Sequence, residues 1–182
     1  MRIIAGSLRG KNLVAPVGEA TRPTADRARE SLFNILNSLL LKGGYTWSDI
    51  TFADIFSGSG AIGIEACSRG AKAVFCIEND PNALTALRAN AQGLSKIHIL
   101  TTSALNPSKH DPVDILFMDA PYGKGLWQMA LGAFDKAGWV GPKTLIIIET
   151  DKKLKEVLPA GYTLIQERAQ GRNTFLFATK ES

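Results

Sequence analysis

The chain has 182 residues, 45% hydrophobic and 21% charged, a balance that suits one folded domain with a sizeable core and excludes a disordered or collagen-like polymer. It contains neither a run of about 18 apolar residues nor the shorter apolar core of a secretory leader, so a soluble, cytoplasmic protein without a membrane partner is expected. The formal net charge of +4 permits nucleic-acid binding without requiring it.

The first segment, RIIAGSLRGKNLVAP, alternates and turns at Gly6 and Gly10, which predicts a short β-hairpin or arm over residues 1–20 that buries little. Arg2, Arg9 and Lys11 face no acid within its first twelve residues, whereas Asp54, Glu65, Glu78, Asp80, Asp114 and Asp119 fall in the middle of the chain. A basic end and an acidic middle suggest different jobs. Residues 21–182 are expected to form the rest of the same single domain. In TADRARESLFNILNSLLL, the residues Ala28, Leu32, Ile35, Leu36 and Leu39 recur at helical spacing. Thr24 is the expected N-cap of that helix, Asp26 suits its dipole, and Gly43 and Gly44 are its stop signals.

Strand and helix patterns then alternate. TFADIF, AKAVFCIE, KIHIL, VDILFMD and TLIIIET read as strands. GAIGIEACSRG, DPNALTALRANAQG and a segment near Leu126 to Ala137 read as helices. Continuous apolar strands separated by helices predict an α/β fold with a parallel sheet covered on both faces. GYTLIQERAQGRNTFLFATK reads as two more strands turning near Gly171, which adds an antiparallel edge. Cys67 and Cys76 lie in a predicted helix and strand with no CxxC spacing, and His98 and His110 sit in no metal or catalytic pattern, so no metal site is expected.

The first strand runs into DIFSGSGAIG, where Gly58, Gly60 and Gly63 satisfy G-x-G-x-x-G between a strand and a helix. Such glycines let the backbone turn tightly and approach a ligand, and the free N–H groups at the helix start favour a negative group. Twenty residues after Gly58 the second strand ends in Glu78, whose carboxylate can accept hydrogen bonds from both hydroxyls of a ribose. This order points to a nucleoside-containing cofactor. NAD would set its pyrophosphate on the loop, and Asp54 has no work beside a pyrophosphate, where like charges repel. S-adenosylmethionine carries a free ammonium, which Asp54 could hold directly or through water.

The frame DIFSGSGAIGIEACSRGA, followed by CIEND and MDAPYG and preceded by RPTADRARESLFNIL, resembles the RsmD-type methyltransferases. These modify the N2 amine of a guanine in the 16S RNA of the bacterial small ribosomal subunit. The resemblance extends from RIIAGSLRGK to IIIET. It implies a Rossmann-like class I methyltransferase with a seven-stranded sheet, S-adenosylmethionine at the glycine loop, and a substrate that includes assembled ribosomal proteins. The cofactor-binding residues it implies are Arg22, Thr24, Asp54, Gly58, Ser59, Gly60, Gly63, Glu78, Asn79, Ser103 and Ala104. It further implies that Arg2, Arg9 and Lys11 grip RNA phosphates.

The resemblance also gives DAPY, at the end of the fourth strand, the role of receiving the amine. An exocyclic amine is a poor nucleophile because its lone pair is delocalised into the ring. Asp119 and a backbone carbonyl near Ala120 can accept its two N–H hydrogens, while Pro121 fixes the backbone and Tyr122 stacks on the unstacked base. Asp119 either accepts the proton or only orients the amine. This sequence departs from the family twice: Ala120 stands where the family usually has a first proline, and LTTSALNP lacks the acid common near the adenine, leaving Ser103 to bond the adenine amine. A DNA adenine or cytosine amino-methyltransferase would use a similar loop, but the chain has no room for a large target-recognition region. An NAD-binding oxidoreductase leaves Asp54 and DAPY without work, and an inactive cofactor- or RNA-binding protein is the remaining alternative. A monomer is expected.

Overall fold

The computed structural model describes residues 1–16, 18, 23–121, 125–154 and 156–181, with the backbone alone for 23–25. The apolar runs form β1 (Thr51–Ile55), β2 (Ala73–Glu78), β3 (Ile97–Thr101), β4 (Ile115–Met118) and β5 (Leu145–Asp151), all parallel. The C-terminal hairpin supplies β6 (Tyr162–Gln170) and β7 (Asn173–Lys180), with β7 antiparallel to β5 and Gly171 turning at a φ of 63°. The order β3-β2-β1-β4-β5-β7-β6 reverses direction between β1 and β4. In an open α/β sheet that reversal leaves a crevice beyond the carboxyl ends of the strands.

Alternation along the strands divides the core. Phe52, Ile115, Phe117, Ile147, Phe175 and Phe177 face α1 (Pro23–Gly43), α2 (Ala61–Ser68) and α3 (Pro81–Ala91), with Leu32, Phe33 and Leu36 of α1 fully buried against them. Ala53, Ile55, Leu116, Met118, Ile146 and Ile148 face α4 (Leu126–Lys136), which contributes Trp127, Ala130, Leu131 and Phe134. Two-sided burial is why these strands read as continuous apolar runs. Asp80 caps α3 by accepting from the N–H groups of Asn82 (3.0 Å) and Ala83 (2.9 Å). α1 starts at Pro23, one residue before the expected start, so Thr24 lies in the first turn and is not the N-cap. A proline suits the first helical position, because its missing N–H would have no partner there.

The N-terminal arm turns at Gly6 (φ 84°) and Gly10 (φ 85°), as expected of a short hairpin or arm, but it does not stand apart from the core. Only one antiparallel bridge, Arg2 with Asn12, closes it among the described residues, and it is bolted onto the helices. Glu65 of α2 accepts from the N–H groups of Ile4 (2.7 Å) and Ala5 (3.0 Å), and Ser68 accepts from Leu8 N–H at 2.9 Å. Asn90 of α3 accepts from Val14 N–H at 2.8 Å and donates to the Val14 and Ser59 carbonyls. Gly6 passes so close to α2 that a Cβ there would stand 1.9 Å from the Ser68 carbonyl oxygen. Ile3 and Leu13 are buried against Ile64, contrary to the expectation that the arm buries little. Among the described residues, no helix is long and apolar enough to cross a membrane.

Candidate active site

The carboxyl end of β1 turns sharply. Phe56 has a φ of 61°, a left-handed conformation that is rare for a bulky side chain and concentrates at functional turns. Ser57 ties the turn down by donating to the carbonyls of Asp54 (2.7 Å) and Ile77 (3.1 Å). Gly58 follows with a φ of 55° and no atom within 4 Å of where a Cβ would sit, so the backbone is open to a ligand. Gly63 does the opposite job. A Cβ there would meet Cys76 Sγ at 2.7 Å, and the missing side chain lets α2 lie against β2.

That close approach brings the Gly63 N–H to Asp54 Oδ2 at 2.9 Å. Asp54 is buried, and no ion pair to it occurs among the described residues. Burial, aided by the charges of Asp119 and Glu78 and opposed by the Gly63 hydrogen bond, pushes its carboxyl up to about 7. Glu78, at the end of β2, is the better satisfied acid. It accepts from the N–H groups of Gly58 (2.8 Å), Asn79 (2.7 Å) and Asp80 (2.8 Å), which ties the glycine loop to β2. A carboxylate offers about four acceptor sites, so this geometry leaves room for one ribose hydroxyl where the sequence suggested two.

Asp119 follows the last residue of β4 and Glu149 lies within β5, each one residue beyond the last pair between those strands, Met118 with Ile148. Both therefore fall on the face of Phe117 and Ile147, as does Asp54. Asn173 of β7 donates through Nδ2 to Glu149 Oε1. Burial first and the Asp119 charge second push Glu149 up to about 8, against the Asn173 hydrogen bond.

These groups share a cavity of about 800 Å³, whose walls include Asp54, Phe56, Ser57, Gly58, Ser59, Glu78, Asn79, Asp119, Pro121 and Glu149, over Phe117 and Phe175. Its charged lining among the described residues is Asp26, Asp54, Glu78, Asp80, Asp119 and Glu149 against Arg29 alone. Such a surplus of negative charge favours a cationic ligand and opposes a pyrophosphate. Arg29, buried on α1, donates to the Arg2 carbonyl and to Asp26 Oδ1 (3.0 Å), while its Nε has no partner among the described residues.

Not every expected residue joins this cavity. Gly60 and Gly63 pack beneath it, and the Ala120 side chain is buried on the α4 side. Ser103 and Ala104 do not line it: Ser103 Oγ accepts from Leu105 N–H at 3.2 Å, and Ala104 packs into the α4-side core. Arg22, Tyr122 and the side chain of Thr24 lie outside the described residues. Arg2 and Arg9 are exposed on the arm, whereas Lys11 donates to the Asn90 carbonyl at 2.7 Å and so closes the end of α3. Sequence reasoning missed Arg29, Asn173, Phe117 and Phe175 and gave Glu149 no chemistry. Arg29 was readable in part, because it precedes Phe33, Leu36 and Leu40 at spacings of a buried helical stripe.

The family described as Conserved hypothetical protein 95 matches residues 1–179. Ribosomal RNA small subunit methyltransferase D of Haemophilus influenzae is 33% identical over 179 residues, covering 94% of this chain and 89% of that protein. The protein of the same name from Escherichia coli K12 is 31% identical over 187 residues, covering 100% and 91%. Among solved structures, a candidate methyltransferase, yhhF from Escherichia coli, superposes with a TM-score of 0.83 at 29% identity, covering 100% of this chain and 98% of that one.

Proposed function

The chain belongs to the family described as Conserved hypothetical protein 95, together with the ribosomal RNA small subunit methyltransferases D, and on that premise we propose that it methylates the exocyclic N2 amine of a guanine in 16S ribosomal RNA with S-adenosylmethionine as donor. The observation that carries the reading is convergence. The glycine loop with Asp54 and Glu78, and the DAP segment with Asp119, line one cavity at the point where strand order reverses.

The residues fit this cofactor. Asp54, buried without a cation and pushed up to about 7, gains its charge when an ammonium lies beside it. Arg29 and the open backbone at Gly58 face the opposite need, a carboxylate. Glu78 is held rigid by three backbone amides and takes a ribose hydroxyl on its remaining acceptor site. Asn79 and Phe56 complete the wall around the nucleoside. When bound, S-adenosylmethionine supplies an electrophilic methyl group on a sulfonium.

The rest is done by the end of β4. Asp119 and the Ala120 carbonyl accept the two amine hydrogens, so the nitrogen lone pair is turned out of the ring conjugation and toward the methyl. Positive charge would grow on the nitrogen as it is methylated, and Asp119 is the negative group beside it. The surplus proton then passes to Asp119 or to water. Pro121 fixes the segment, and Tyr122 is the stacking surface for a base taken out of its stack. Arg2 and Arg9 on the anchored arm offer two phosphate contacts, few enough that recognition rests on the shape of an assembled or assembling small subunit more than on sequence. The enzyme works as a cytoplasmic monomer in this reading.

The test is transfer of labelled methyl to unmethylated small ribosomal subunits, naked 16S RNA and duplex DNA, with the modified nucleoside identified. N2-methylguanine from the ribosomal substrate is expected. Methylated adenine or cytosine in DNA, or cofactor binding with no transfer to any substrate, would refute the proposal.

A further inference from the structure

Glu149 is a half-buried acid that the chemistry above does not use, although it lines the same cavity. Met118 and Ile148 pair in parallel register, so Asp119 and Glu149, one residue further along each strand, stand side by side with Cα atoms about 5 Å apart. Asn173 on β7 holds the carboxylate through Oε1 and is its one hydrogen-bond partner among the described residues. The other charged side chains lining this cavity among the described residues are Asp119 just past β4, Asp54 of β1, Glu78 and Asp80 at and after the end of β2, and Asp26 and Arg29 of α1. A Glu149 carboxylate with one hydrogen-bond partner among the described residues, beside the charge of Asp119, is costly unless a ligand supplies it a further donor.

We propose that Glu149 determines base specificity by accepting the N1–H of the target guanine while its neighbour Asp119 accepts from the N2 amine. The proposal rests on the guanine-N2 reading above. On guanine, the amine is flanked by N1–H, so two adjacent donor groups meet two adjacent carboxylates. On adenine the ring nitrogen beside the amine carries a lone pair, as does N3 beside the cytosine amine, and either would face the charge of Glu149. A site built to bond a donor rejects a base that lacks it, because a buried acceptor is then left unpaired. Protonation of Glu149 reverses the preference, since a neutral carboxyl donates to a lone pair. Burial pushes that proton's release up to about 8, so the choice of base is pH-dependent in the neutral range.

The test uses 2-aminopurine, which keeps the N2 amine but carries a lone pair at N1. Small subunits are reassembled on 16S RNA ligated to hold guanine or 2-aminopurine at the nucleotide that the transfer assay identifies. For the unaltered enzyme, the ratio of kcat/KM for guanine to that for 2-aminopurine is expected to rise between pH 6.5 and pH 8.5. Groups that act equally on both bases, Asp54 among them, cancel from this ratio. In Glu149→Gln the side-chain amide can donate to the N1 lone pair, so the ratio is expected to fall by about tenfold or more and lose its pH dependence. Binding of S-adenosylmethionine, measured by calorimetry, is expected to persist and reports that the variant is folded. A ratio that ignores pH in the unaltered enzyme, or is unchanged in a folded Glu149→Gln, overturns the proposal. Absence of N2-methylguanine from the unaltered enzyme on guanine itself refutes the underlying function, and that outcome is read before any 2-aminopurine is used.

Discussion

Replacing Asp54 by asparagine separates what the fold gives up from what the cofactor gains. The carboxyl has an ordinary value of 3.8 and is pushed up to about 7 in the folded protein. Folding therefore takes up a proton between those values, and stability falls as pH rises through that window and levels off above it. At about 1.4 kcal/mol per pH unit, the burden at pH 8 is on the order of 4 kcal/mol. Asparagine keeps an oxygen for the Gly63 N–H, removes the charge, and adds an amide N–H pair whose lost hydration costs about 1–3 kcal/mol at every pH. The pH-independent part cancels when two pH values are compared. The stability of Asp54→Asn relative to the unaltered protein should thus improve by about 3 kcal/mol from pH 5 to pH 8. Urea unfolding at pH 5, 6.5 and 8 measures this difference directly. Calorimetry on the same samples should find weaker binding of S-adenosylmethionine, since the ammonium loses its counter-charge. A stability difference that is flat with pH would refute the idea that Asp54 carries an unpaired buried charge.

Asp119→Ala should lower kcat on the order of 100-fold or more while cofactor affinity persists. Unchanged turnover would remove Asp119 from the chemistry. Replacing both Arg2 and Arg9 by alanine should weaken binding to small subunits and reduce the salt slope of that binding by about one for each arginine. An unchanged slope would mean that the arm touches no phosphate. Glu65→Gln should destabilise the fold by about 3–5 kcal/mol, read by thermal unfolding, because Arg69 loses the carboxylate it meets at 2.8 Å inside the protein. A loss below about 1 kcal/mol would show that the arm's anchor does not depend on that charge.

The sheet was legible because burial on both faces forces its strands into unbroken apolar runs, and DIFSGSGAIG and DILFMDAPYG each carry a run straight into the residues that line the cavity. Asp54, Glu78 and Asp119 stood out for the same reason, as acids at strand ends. Adjacency was harder to read. Glu149 is also a strand acid, two residues short of the end of β5, but its meaning depends on β5 lying beside β4, and Asn173 reaches it only because the C-terminal hairpin folds back antiparallel. No local pattern encodes either contact. Ser103 and Ala104 were placed by resemblance alone, and the bend after β3 carries them away from the cavity wall. Lys11 illustrates the limit of counting charges: its ammonium caps a helix carbonyl instead of standing free on the arm.

The buried and half-buried acids can be sorted by what the chain provides for each. Glu65 is fully buried and meets Arg69 and two backbone amides, so its charge is balanced by the protein and its work is structural. Glu78 has no cation but three amides, which hold it as a fixed acceptor at the end of β2. Asp54 has one amide and Glu149 one asparagine, and both are pushed up toward neutrality or beyond. Burying such a pair without compensation lowers stability, and nothing in the packing requires it, because an apolar or amide side chain of similar size would fill the same space more favourably. The shortfall fits the ligands proposed above. Among the described residues, what is missing beside Asp54 is a cation and what is missing beside Glu149 is a second donor, which fits an ammonium at one end of the cavity and a base edge carrying N–H groups at the other.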